Sequence, residues 1–129
     1  MKNNKDILII IFTTDFYKFY YALNLASTYQ ACNKKVTVYF TGYSCNFLKK
    51  KWKRYDKSKN EDKFKETKMI SYIGILDLCM ELKVKFYFCD TAMKFLNIEE
   101  SEFIEGLNIK ALPLYHIINV HKDNKTFFI

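Results

Sequence analysis

Apolar residues in this chain fall into short unbroken runs, separated by stretches in which they recur at helical spacing. Ile7 to Phe12 is a continuous run of six apolar residues, the pattern of a strand buried on both faces. Thr13-Thr14-Asp15 follows and offers side-chain oxygens to cap a helix starting near Phe16. Phe16, Phe19, Tyr20, Leu23 and Ala26 then recur along one helical face, while Tyr17, Tyr21 and Leu25 form a second stripe. One sheet contact covers only one of these stripes. The second is expected to meet either another subunit or a loop of the same chain.

Asn33-Lys34-Lys35 turns the chain into Val36 to Phe40, a second strand rich in β-branched and aromatic residues. A short helix is expected from Ser44 to Lys50. Met69, Ile73, Leu76 and Met80 mark a further helix, and Val84 to Phe88 a third strand. Cys89 opens a helical stretch through Leu96, which Asn97 ends by tolerating a left-handed backbone. Ser101 to Leu107 predicts one or two turns. Leu112 to His121 predicts a last helix with Pro113 in its first turn, and Lys125 to Ile129 a terminal strand. No internal repeat is visible. Strands and helices that alternate in this way predict an α/β fold, a mainly parallel open sheet with helices on both faces.

The chain has 129 residues, which fits a single domain over 1–129 with a connecting segment at about 49–68. Half the residues are apolar or aromatic, and 12 Phe, 10 Tyr and one Trp stand against three Gly and one Pro. Disorder and low-complexity readings are excluded by that balance. The longest apolar run is far short of the ~20 residues that span a bilayer. It is also short for a signal peptide, with Asp15 close behind. No membrane span is expected, and a cytoplasmic protein with reduced thiols is.

Net charge is +7, and Lys49 to Lys68 alone holds ten of the 21 basic residues against four acids. The basic character thus belongs to one segment. It has no apolar period and reads as a solvated, mobile connection. RNA contact through 49–68, with Trp52 and Tyr55 for stacking, is the alternative. The near-absence of arginine weighs against base readout.

The four cysteines are 13, 34 and 10 residues apart, so neither a zinc site nor a Cys-x-x-Cys redox motif is supported. Glycine-rich nucleotide motifs are missing, and no metal or cofactor is expected. His116 and His121, five apart, do not align on one helical face and read as structural. Cys89 stands out by position. It follows a strand and precedes a helix, at the carboxyl edge where open α/β sheets place ligands. Amides at a helix start favour a thiolate, while the adjacent Asp90 opposes one. Cys45 also falls near the carboxyl edge and is a possible second thiol. Cys79 and Cys32 read as packing residues. Thr13, Thr14 and Thr41, at the ends of neighbouring strands, are candidate walls of a pocket.

The stretch Cys89 to Gly106 resembles the DsrE/DsrF-like family of small sulfur-relay proteins, in its peroxiredoxin-annotated branch. Cys89, Met93, Ile98, Ile104 and Gly106 fall on the family pattern without a gap. Val36 to Lys50 is similar to the family's strand and short helix through Thr41, Asn46, Leu48, Lys49 and Lys50. The first strand with Asp15 and Lys18 is a third match. Asn97 and Ser44 stand where glycine is usual, and Tyr17 replaces a common acidic residue.

The resemblance implies a homotrimer or homohexamer and a cysteine that carries sulfur as a persulfide. Cys89 would be the catalytic thiol, exchanging sulfur with donor and acceptor proteins. Helix-start amides and Lys18 would stabilise its charge, with Thr13, Thr14, Thr41 and Met93 as substrate-binding candidates. A non-catalytic scaffold or binding subunit with an inert cysteine is the alternative. A peroxide-reducing enzyme with Cys45 as resolving thiol is a third reading.

Overall fold

A computed structural model of the protein describes residues 6–129. Five strands form one sheet: β1 (Ile7–Ile11), β2 (Val36–Phe40), β3 (Lys85–Cys89), β4 (Ile109–Leu112) and β5 (Lys125–Phe128). Their order is β4-β3-β2-β1-β5, and every neighbouring pair is parallel. All residues of β1 and β2 are buried, as unbroken apolar runs in a parallel sheet require.

The five α-helices among the described residues are α1 (Phe16–Ala31), α2 (Asn60–Glu66), α3 (Tyr72–Glu81), α4 (Asp90–Leu96) and α5 (Leu114–Val120). Asp15 caps α1, its carboxylate accepting from the Lys18 N–H at 3.0 Å. The first stripe of α1 goes into the core: Phe16, Phe19, Tyr20, Leu23 and Ala26 are all buried, the larger of them contributing about 1.5–3 kcal/mol each. Phe19 meets Phe40 of β2, which in turn packs on Phe86 of β3. Even-numbered residues of β2 and β3 therefore face α1. Odd-numbered ones, Thr37, Lys85 and Tyr87 among them, face α5 and line a cavity with Ile117.

Tyr17 of the second stripe tilts over Phe64, ring centres 5.6 Å apart, so a segment of the same chain covers it in part. Tyr21 stays exposed.

Residues 49–68 are not the solvated, mobile connection that their charge suggests. A one-turn 3-10 helix (Trp52–Tyr55) and α2 bury Trp52, Asp56 and Phe64. Trp52 stacks on Phe16 with centroids 5.4 Å apart and planes 8° from parallel, which removes it from any surface stacking on bases. Asp56 accepts from the amides of Asn60 and Glu61, both at 2.9 Å. These three side chains pin the segment while its lysines, apart from the half-buried Lys49, stay in water.

Three element boundaries also differ from expectation. Ile109–Leu112 is a fourth strand where none was predicted, so Leu112 belongs to the sheet and Pro113 precedes α5 instead of lying within it. The short helix expected from Ser44 is a 3-10 helix, Gly42–Leu48. Helix α3 begins at Tyr72, capped by Ser71, leaving Met69 and Ile70 exposed ahead of it. Asn97 ends α4 with φ 54°, as expected.

Candidate active site

Cys89 is the last residue of β3 and lies opposite Leu112 of β4. On the other side Phe40 pairs with Phe88, so Thr41, the next residue, comes opposite Cys89. Alternation along β2 puts the Tyr39 and Thr41 side chains on the same face as the cysteine. The groups that favour a charged sulfur here are the Tyr39 and Thr41 hydroxyls and the Ala92 and Thr91 N–H groups. Burial pushes the thiol up, but these donors outweigh it, and Cys89 ionises below the ordinary thiol value. The two amides belong to the first turn of α4, so the strand-to-helix turn itself aims them at the sulfur.

Tyr39 has one hydroxyl proton and two neighbours. Its oxygen stands 2.8 Å from the Leu112 carbonyl, to which it donates. Burial, then the neighbouring sulfur charge, pushes the Tyr39 phenol itself upward, so it remains a donor throughout.

The other cysteines are set apart by environment. Cys45 is fully buried in the 3-10 helix after β2, close enough to Cys89 to interact with its backbone N–H; burial, then the nearby Cys89 charge, pushes it up to about 12. Cys79 is buried on α3, its thiol 3.4 Å from the Leu23 carbonyl, and burial pushes it up to about 12. Cys89 keeps 7% exposure where both of these have none. Cys32 is exposed at the end of α1; it is not the packing residue expected, because the buried face of the helix ends at Ser27.

The remaining predicted residues are distributed along the same edge. Thr41 joins the cysteine directly. The Thr13 hydroxyl accepts from the Asp15 N–H at 3.0 Å and so serves the turn into α1. Thr14 lines a separate depression with Asp15, Tyr43 and Asn46. Lys18 is exposed on α1 in a shallow groove with Tyr17 and Tyr21, and α1 packs on the face of the sheet opposite that of Cys89. Met93 is buried on α4. The Asp90 carboxylate accepts from the Thr91 N–H at 2.9 Å, sharing that amide with the sulfur.

A family model described as the DsrE/DsrF-like family matches residues 5–125. The chain belongs to the DsrE/DsrF-like family. Solved structures carry the same fold at low identity. The ychN protein of E. coli is similar at 12% identity and TM-score 0.72, covering 97% of this chain and 99% of that one. MTH1491 of Methanobacterium thermoautotrophicum, a protein of unknown function, is similar at 12% identity and TM-score 0.70 over 97% and 99%. BT1422 of Bacteroides thetaiotaomicron, also of unknown function, follows at 14% and 0.64 over 96% and 95%. No curated protein is significantly similar in sequence.

Within this DsrE/DsrF-like fold, the two positions where glycine was expected are occupied without conflict. Asn97 takes the left-handed conformation. Ser44 is buried, its hydroxyl set between the carbonyls of Ile11 (2.8 Å) and Thr41 (2.7 Å), and it ties the end of β1 to the loop that carries Thr41. Gly42 meets a real demand: its φ is 62°, and an added Cβ would lie 2.6 Å from the Phe12 ring. Tyr39 is the residue that sequence reasoning missed. Its only signal is parity, since it stands two positions before Thr41 on the strand beside Cys89.

Proposed function

We propose that this DsrE/DsrF-like chain is a cytoplasmic sulfur carrier in which Cys89 holds a persulfide. The observation that supports this most is the contrast among thiols: Cys89 is lowered by four donors, whereas Cys45 and Cys79 are raised to about 12. The Cys89 thiolate attacks the outer sulfur of a donor persulfide. The donor S–S bond breaks as the new one forms, and the donor leaves as a thiolate. Cys89 then carries –S–SH. An acceptor thiolate attacks that terminal sulfur and returns Cys89 as a thiolate, so no net oxidation occurs. The Tyr39 and Thr41 hydroxyls and the two α4 amides hold the negative sulfur between transfers.

The high value for Cys45 argues against the peroxide-reducing reading, since a resolving thiol must ionise to attack. The scaffold reading keeps one specific support. Leu114, Tyr115, Ile118 and Val120 of α5 are exposed, an apolar surface suited to a homotrimer or homohexamer.

Treatment of the full chain with a low-molecular-weight persulfide, followed by peptide mass mapping, tests the carrier. An addition of about 32 Da on Cys89, lost again to an acceptor thiol, is expected. Labelling elsewhere, or none, leaves the scaffold reading.

A further inference from the structure

A second cavity, of about 360 Å³, lies at the opposite, amino end of the sheet beneath α5. That volume is in the range of small-ligand sites. Its lining is rich in donors. Lys35, Lys83 and Lys85 contribute cations, and Asp6 is the single carboxylate among the lining residues. Thr37 and Lys85 are paired across β2 and β3, so a hydroxyl and an ammonium start side by side on the sheet.

Three neutral groups add directed N–H or O–H donors. Gln30 Oε1 accepts from the Val36 N–H at 2.9 Å, which leaves its NH₂ free to face the cavity. His121, 8% exposed, accepts at Nδ1 from the Asn124 side-chain amide at 2.9 Å. Burial, then the nearby Lys85 charge, keeps the imidazole neutral against the opposing pull of Asp6. Its proton therefore sits on Nε2. Thr37 is 6% exposed. Among the described residues no side-chain N or O shut off from solvent lacks a partner. The Thr37 hydroxyl and His121 Nε2, with no protein partner among those residues, thus open into the cavity they line. An adjoining cavity of about 440 Å³ shares Lys83 and Lys85, adds Lys110, and has no acid in its lining.

We propose that this amino-edge cavity binds a small molecule bearing a phosphate or sulfate group. The lysines neutralise the oxyanion, while the Thr37 hydroxyl, His121 Nε2–H and Gln30 amide orient it. Val36, Leu112 and Ile117 offer an apolar wall to the body that carries the group. Lys35, Thr37 and Lys85 put its donors at the amino ends of β2 and β3, while its lining extends to Leu112, the β4 partner of Cys89; binding there does not depend on sulfur transfer.

The test is a titration of the full chain with inorganic phosphate, sulfate and phenyl phosphate, followed by the His121 ring and Lys83/Lys85 side-chain NMR signals. Saturable shifts are expected, with phenyl phosphate tighter than phosphate because of the apolar wall. Saturation by sulfate alone identifies a sulfur oxyanion, and by the phosphates alone a phosphate ester. The Lys83→Gln/Lys85→Gln variant is expected to weaken binding at least about tenfold, and Thr37→Val, which preserves shape, by several-fold. Lys51→Gln/Lys53→Gln, in the lysine-rich segment, is expected to leave affinity unchanged. Failure of all three anions to saturate the His121 signal by about 20 mM, or equal losses from both lysine pairs, overturns the proposal.

Discussion

The Tyr39 hydroxyl reaches across β3 to within 2.8 Å of the Leu112 carbonyl oxygen, and the Cys89 sulfur lies beside it. One side chain thus connects β2 to β4 and supplies the leading hydrogen bond that favours the thiolate. Tyr39→Phe removes that donor and keeps the packing. A hydrogen bond to a charged acceptor is worth about 1.5–3 kcal/mol, which moves the Cys89 pKa up by about one to two. Iodoacetamide alkylation of Cys89 across pH is expected to show its inflection shifted upward. An unchanged inflection assigns the thiolate to the amides and Thr41 alone.

Cys45 and Cys79 act on stability in the opposite sense. Their thiols are raised from 9.0 to about 12 in the fold, so the unfolded chain ionises first as pH rises. Their protonated forms favour the fold fully below about pH 9, and that advantage is lost between about 9 and 12, at about 1.4 kcal/mol per pH unit for each group. Cys89, lowered in the fold, contributes in reverse: its share is present above the unfolded thiol value and fades as pH falls through the folded one. The melting temperature is expected to drop steeply above about pH 9, and Cys45→Ala to flatten that drop while lowering the whole curve.

The buried Asp56 holds the lysine-rich segment in place. Its two oxygens accept from the Asn60 N–H and side-chain amide and from the Glu61 N–H. Asp56→Ala leaves those donors open at the start of α2 and is expected to cost about 2 kcal/mol. Hydrogen exchange in residues 57–66 is the specific readout, with protection lost there before the sheet opens. Uniform loss of protection across the chain contradicts a local pin.

Much of the architecture is legible in the order of residues. The runs at Ile7–Ile11 and Val36–Phe40 have the composition of doubly covered strands, and the carboxyl-edge position of Cys89 follows from strand-helix alternation alone. Strand β4 is not legible. Ile-Lys-Ala-Leu at Ile109–Leu112 is a four-residue edge strand, partly exposed, and its pairing is set by β3 and not by any local period. Residues 49–68 mislead for a related reason. Trp52, Asp56 and Phe64 turn inward, with Tyr55 packed in part against the core, too few and too irregularly spaced to register against ten cations. At the site, Cys89 and Thr41 are found by position, whereas Tyr39 acquires meaning only when the register puts its side chain on the same face as the sulfur.

Trp52 offers a direct reading of whether the basic segment stacks on nucleic acid. It is the single tryptophan of the chain, 5% exposed, stacked on Phe16 and edge-on to Tyr72 at 4.7 Å. Its fluorescence is therefore expected to be blue-shifted and insensitive to collisional quenchers. Added single-stranded RNA attracts the exposed lysines only through phosphate charge, so any binding is expected to fade with salt and leave the Trp52 spectrum unchanged. Base stacking on Trp52 demands that the ring leave the Phe16 cluster, a loss comparable to the ~3–5 kcal/mol of a Trp→Ala core truncation. A quenched, red-shifted emission that saturates with RNA at high salt would show that this cluster opens and that the segment is a genuine binding surface.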